Sequence, residues 1–186
     1  TLFGSEAQGI YQYPNKEYAG RFAHVQGVDT CVACHDPHAL KPQLQACAGC
    51  HQTDDPSAIR MTLTADYDGD GDTTEGLKGE YEGVAERLYA AIQDYASTKS
   101  KGIVYNPDAY PYYFLDEDND GTADVDDKGN PASYNAWTPK LLKAGYNYQY
   151  SHKDPGAYVH NFRYVVQAMY DSIQDPGGSV QGMTRP

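Results

Sequence analysis

All four cysteines of the chain lie between residues 31 and 51, in one pattern used twice: Cys31, Cys34 and His35, then Cys47, Cys50 and His51. Two thiols at this spacing reach the two vinyl groups of one porphyrin as thioethers. The histidine directly after the second cysteine then presents its imidazole to the iron. Cys-x-x-Cys-His is therefore an attachment signature for c-type haem, and two copies account for every cysteine. Paired Cys-x-x-Cys units also occur in Cys₄ zinc ribbons, but zinc needs no histidine after both pairs. A disulfide framework would be poorly served by such close cysteine pairs. Residues 36 to 46 tether the two motifs, at most about 40 Å when fully extended, so the sequence predicts two covalently bound c-type haems as close neighbours.

Each iron would take one axial histidine from its own motif, His35 or His51. His24, His38, His152 and His160 remain for the other side, with Met61, Met169 and Met183 as thioether options. His38 follows three residues after His35 and can reach an adjacent haem. His24 sits between Phe22 and Val25, ahead of Cys31. His160 lies beside the apolar face of an expected helix. These three are the candidate distal ligands; His152 stands in a polar turn, and the methionines suit core positions or the tail. Two irons need two distal ligands, so one of the three is idle or serves a neighbouring molecule. Bis-histidine ligation would fill both irons and leave no open position for a substrate.

Two acidic loops offer a different chemistry. Asp116, Asp118, Asp120, Gly121, Asp124 and Asp127 match positions 1, 3, 5, 6, 9 and 12 of a calcium loop, and Thr122 at position 7 can offer its carbonyl. An aspartate stands at position 12 where glutamate is usual. The earlier loop carries Asp66, Asp68, Asp70, Gly71 and Asp72, with Leu77 at position 12, so Glu75 or Glu80 would have to close the shell. Oxygen ligands converging on a hard cation would clamp a chain without disulfides, giving one or two structural Ca²⁺ ions; otherwise both are solvated acidic loops.

The elements that must position these residues are mainly helical. Between the acidic loops, Val84, Leu88, Ile92 and Tyr95 recur at helical spacing. A second helix is expected where Thr138 caps and Pro139 takes the first position. A third is expected from Asp154 and Pro155, with Val159, Phe162, Val166, Met169 and Ile173 on one face, ended by Gly177 and Gly178. No convincing strand alternation is visible. The expected architecture is mainly α with extensive irregular loops: a small protein built around a haem pair, with calcium-stabilised loops. Its parts would be an irregular and loose N-terminal arm (1–23), a dihaem-binding segment (24–52), a helical and calcium-loop region packing on the haems (53–176), and a tail (177–186).

The net charge of −12 with no basic run argues against nucleic acid as a partner. No stretch of about 18 apolar residues is present, so no membrane-spanning helix is expected. The apolar share is 40%, yet mean hydropathy is −0.71, and 18 tyrosines stand against four phenylalanines. Tyrosine packs its ring and keeps its hydroxyl bonded or wet, which suits packing on flat macrocycles or against other subunits. Because c-type haem is attached after export, and the sequence starts at Thr1 without a leader, an exported, processed form is expected: extracellular or at the cell surface, alternatively periplasmic.

The stretch "FAHVQGVDTCVACHDPHAL", followed by "CAGCH", resembles the repeated haem unit of multihaem c-type cytochromes from metal-reducing and related prokaryotes. The later segments "DYDGDGDTTEG", "LYAAIQDYA", "YNAWTPKLLKAGYNYQ" and "DPGAYVHN" resemble a haem-poor region of some large members, so the resemblance touches residues 21 to 175. It implies distal ligation by the histidine before the motif and the one inside "CHDPH", which here are His24 and His38. It departs in haem count, two here against many more. Some members polymerise into extracellular filaments in which a histidine of one subunit ligates a haem of the next. The resemblance thus implies electron transfer, with other copies of the chain or redox proteins as partners. The rival expectations are a soluble shuttle or docking subunit, an enzyme with one open iron acting on a small nitrogen or sulfur compound, and a scaffold with haems as core.

Overall fold

In the computed structural model, which describes residues 1–186, three long helices carry the core. They are α3 (Leu77–Lys99), α4 (Pro139–Lys153) and α5 (Ala157–Gln174). Two short helices, α1 (Cys31–Cys34) and α2 (Gln45–His51), precede them, and a two-stranded antiparallel sheet of β1 (Ile103–Tyr105) and β2 (Tyr113–Leu115) follows α3. Single 3₁₀ turns occupy Gly4–Glu6 and Pro56–Ala58. The helical expectation holds for α3, α4 and α5; the strands were not foreseen, and at three residues each they are too short to show alternation.

Helix α3 forms because Val84, Leu88 and Ile92 repeat every four residues and bury one stripe completely, with Ala96 one turn on. Burial of each large aliphatic side chain in this stripe contributes about 1.5–3 kcal/mol. Helix α4 starts as its sequence dictates: the Thr138 hydroxyl accepts the Leu141 N–H at 3.2 Å, and Pro139 gives up an N–H that would have had no partner.

Helix α5 departs from expectation at its start. It begins at Ala157 after Gly156, and Asp154 instead accepts the Gly156 N–H at 3.1 Å in the turn after α4. A break follows at Asn161, whose backbone is extended. Its side chain accepts the Tyr164 N–H at 3.2 Å, acting as a second N-cap inside the helix, and donates to the Gly20 carbonyl at 2.9 Å. The break rotates the first turn away from the rest: Phe162, Val166, Met169 and Ile173 are buried, while Val159 is exposed.

Beyond its one 3₁₀ turn the N-terminal arm lacks regular structure, as its glycines and prolines predict, but it is not loose. It lies along α4 and α5, and polar side chains stand in for a strand partner. Asn147 bonds both the N–H and the carbonyl of Tyr11 (2.7 and 3.0 Å), Gln167 accepts the Ala19 N–H (2.8 Å), and the Tyr18 hydroxyl donates to Asp171 (2.8 Å). Asp171 is buried and also receives Arg185 (2.9 Å) and Lys16 (3.3 Å). The last residues are packed as well, with Met183 buried and Gln167 donating to the Pro186 carbonyl.

One region has no interior at all. From Pro14 to Asp66 not a single residue is buried, whereas α3, α4 and α5 enclose an aliphatic and tyrosine core. No helix is long and apolar enough to cross a membrane.

Candidate haem and cation sites

The two cysteine motifs sit on the two short helices of the region without a core. In α1 and in α2, cysteines three residues apart lie on one helical face. The His35 N–H closes the turn onto the Cys31 carbonyl at 2.8 Å; Gln52, in a left-handed conformation, ends α2 just past His51. A tight reversal joins them. The Asp36 N–H bonds the Lys41 carbonyl, the Gln43 N–H bonds the Cys34 carbonyl, and the Asp36 carboxylate accepts the N–H groups of His38 and Ala39, both at 2.8 Å. These last bonds hold the Asp36 carboxyl below the usual carboxylate range.

All four cysteines are free thiols; Cys31, Cys34 and Cys50 are exposed and Cys47 is half-buried. Although Cys34 is exposed, the chain packed around its thiol pushes it up, and the neighbouring Cys47 and Cys31 add to it. No cysteine belongs to a cluster of metal-ligating side chains, which is not the arrangement of a Cys₄ zinc site.

Folding brings two of the three candidate distal histidines to the motif histidines. The rings of His35 and His160 have centres 6.2 Å apart, and those of His51 and His24 are 5.9 Å apart. His38 stays exposed on the reversal, and His152 packs on Tyr148 (4.3 Å) and Tyr105 (5.6 Å). An imidazole nitrogen binds a first-row metal at about 2.0–2.1 Å, with its ring centre roughly 1.1 Å further on. Two imidazoles facing one ion therefore have centres about 6 Å apart. Met169 and Met183 are buried in the core, as expected of packing residues.

The surroundings fit a large apolar group. Phe22, Val25, Val32, Leu40 and Met61, all from the region without a core, are exposed, Leu40 by 81%. The Nδ1 atom of His51 is enclosed with no hydrogen-bond partner in the chain. Gly156 makes a notch for the His160 ring: a Cβ there would stand 2.7 Å from its Cε1 atom. Neither Gly156 nor Asp154 could be singled out from sequence as serving the site, because each acts through a contact that only the turn between α4 and α5 creates.

Both acidic loops are wound so that carboxylates converge. In the second, Asp116 is buried and accepts the N–H groups of Asp120 (3.0 Å) and Gly121 (3.1 Å), and it clusters with Asp118 and Asp120. Thr122 donates its N–H to Asp120, and Asp124 accepts the Glu117 N–H at 2.8 Å. Asp127 is not brought to the cluster. The chain turns back at Asp126 to Asn130 instead of continuing into a helix, and Ala132 pairs with Asp124.

In the first loop, Asp66, Asp68 and Asp70 cluster, and Asp68 also clusters with both Glu75 and Glu80. Asp72 turns away to cap Thr74. Glu80, fully buried on α3, accepts the N–H of Tyr67 (2.6 Å) and of Asp68 (3.1 Å) and pairs with Arg60 at 2.5 Å. A methyl group at Gly83 would overlap the Asp68 carboxylate, so only glycine lets the loop lie this close to α3. Burial, then the charges of Asp70, Glu80 and Asp66, pushes the Asp68 carboxyl up to about 6. Burial and the neighbouring carboxylates, Asp68 first, push Glu75 up to about 7. Carboxylates crowded in this way repel one another, and a cation relieves them.

No family model matches the chain, and no solved structure matches it. Among curated proteins it is similar to the C-type polyheme cytochrome OmcB of Geobacter sulfurreducens, 30% identical over 154 aligned residues that cover 68% of this chain and 20% of the relative. It is also similar to the C-type polyheme cytochrome OmcC of the same organism, 28% identical over 152 aligned residues, 68% of this chain and 19% of the relative. The chain spans about a fifth of the length of the curated relatives it matches. This similarity supports a relationship between the chain and multihaem c-type cytochromes.

Proposed function

We propose that the chain is a dihaem electron-transfer protein. The observation that carries this reading is the pairing of each motif histidine with a distant one at the spacing of a shared ion, His35 with His160 and His51 with His24. Cys31 and Cys34, and Cys47 and Cys50, anchor the two macrocycles as thioethers. His35 and His51 are the proximal ligands, and His160 and His24 the distal ones. Bound in this way, each haem supplies a one-electron ferric/ferrous couple. With both axial positions held by histidine, the chain offers no open iron for a substrate, which favours transfer over the enzyme reading. The apolar side chains of residues 22 to 61 then gain the interior that the protein alone does not give them. The two acidic loops hold Ca²⁺, through Asp116, Asp118 and Asp120 in one and Asp66, Asp68, Asp70, Glu75 and Glu80 in the other.

In its sharper form, copies of the chain stack into an extracellular filament and place their haem pairs in a continuous row. Two attachment sites confined to residues 31–51 carry electrons only across a small patch, so a useful range requires either stacking or a docking partner. An identical neighbour whose irons are already filled offers His38 no metal. Contacts between copies would therefore rest on exposed apolar and tyrosine surface. A periplasmic shuttle or docking subunit is the alternative with the same site.

Intact mass of the exported protein tests the core of this reading. A gain equal to two haems on a single chain is expected; the bare chain mass with bound zinc would overturn it. Electron microscopy of the untreated protein tests the sharper form: filaments support stacking, whereas single compact particles assign the chain to a shuttle or subunit.

A further inference from the structure

His160 alone among the four paired histidines stands in ion-pair range of a carboxylate: its Nδ1 atom lies 3.9 Å from Asp154 Oδ1. Asp154 is itself fixed, since Oδ1 accepts the Gly156 N–H at 3.1 Å and Oδ2 accepts the Thr1 hydroxyl. The notch at Gly156 seats the imidazole at its Cε1 and Nδ1 atoms, next to that carboxylate. On the second pair the surroundings differ. His51 Nδ1 is enclosed without any partner, and His24 has the Phe22 ring beside it at 6.4 Å.

We propose that Asp154 is a positioning residue that makes the two metal centres unequal, so that the centre served by His35 and His160 has the lower reduction potential of the pair. At 3.9 Å the carboxylate lies beyond hydrogen-bond reach of the imidazole and acts on it through its charge. A nearby negative charge favours ferric over ferrous iron, which lowers the potential. The centre served by His51 and His24 has no carboxylate in ion-pair range and is the one on which an electron comes to rest. The pair therefore has a built-in direction, from the His160 side to the His24 side. This inference rests on the dihaem reading.

Spectroelectrochemical titration of the haem-loaded protein tests it. Two separate one-electron waves are expected. Asp154→Asn should move the lower wave upward and leave the other in place, while Asp154→Glu, which keeps the charge, should stay close to the wild type. Electron paramagnetic resonance should show both irons still low-spin in Asp154→Asn, so that the shift is not loss of His160. Waves that coincide in the wild type, or an Asp154→Asn shift that is absent or equal in both waves, would overturn the inference. Failure of the dihaem reading has a different signature: haem absent from the chain, or a His160→Ala variant with both iron spectra unchanged.

Discussion

The rings of His35 and His160 lie with their centres 6.2 Å apart, one fixed by the turn after Cys34 and the other seated against Gly156. Removing one partner should therefore open one iron and only one. In the wild-type protein, reduced and exposed to carbon monoxide, no adduct is expected. In His160→Ala half of the haem should form one, as should half in His24→Ala; His38→Ala should bind none. An adduct in the wild type would revive the enzyme reading.

The notch at Gly156 gives a subtler test of the same pair. Its backbone, with φ −97°, accepts alanine without strain, but the new methyl would meet the His160 ring 2.7 Å away. Gly156→Ala is expected to change global stability by no more than about 1 kcal/mol while displacing the imidazole. Partial carbon monoxide binding with a near-normal melting temperature would be the result.

Asp171 joins the N-terminal arm, the last residues and α5. It is buried, and Tyr18, Arg185 and Lys16 all converge on it. Asp171→Asn should cost about 1.5–3 kcal/mol, the range for hydrogen bonds to a charged group. Limited proteolysis should cut the variant first within the arm, between Tyr11 and Gly20. Unchanged cleavage would show that the arm is held by its other bonds.

The buried tyrosines set an alkaline limit. Burial is the largest cause of the raised phenol pKa of Tyr13, Tyr81, Tyr113 and Tyr148. An unfolded phenol ionises near pH 10, about its ordinary value, and these ionise only above that while folded. Stability from them is complete below about pH 10 and is lost as pH rises further. Unfolding followed by circular dichroism should coincide with the late step of tyrosinate absorbance. Gradual ionisation without unfolding would contradict the burial described here.

Chelation tests the acidic loops. Asp66, Asp68 and Asp70, and Asp116, Asp118 and Asp120, each gather carboxylates that a cation would relieve. Removing calcium should lower the melting temperature, and Asp116→Asn and Asp68→Asn should each reduce the number of ions bound. The Asp127→Asn variant should bind as the wild type does, because that residue lies outside the cluster.

Much of the scaffold was legible in the sequence where a periodic or capping signal exists. The four-residue steps from Val84 to Ile92, the Thr138–Pro139 start of α4, and the convergence within each acidic loop all have local causes. What was not legible depends on tertiary contact. Asn147, Gln167 and Asp171 look like ordinary polar positions on helices, yet they organise the arm. Asn161 reads as mid-helix, and its cap on Tyr164 together with its bond to Gly20 explains the break. Asp154 reads as a helix cap, but the chain uses it one turn earlier, beside His160. Among the histidines, spacing from the motif favours His38, yet it stays exposed, and His160 reaches His35 only because α5 folds back onto the first part of the chain.

The stretch from Pro14 to Asp66, with no buried residue, also bears on assembly order. Tyr18, Ala19, Leu63 and Ala65 at its two ends pack against the core of α3, α4 and α5, but the part between them that carries the cysteines does not have to be modified before that core can form. Attachment machinery could therefore meet two accessible cysteine motifs on a chain whose helical body is already built, with His160 waiting in place. Maturation of this protein would then be a docking of its modified half onto a finished one, and not a race between folding and modification.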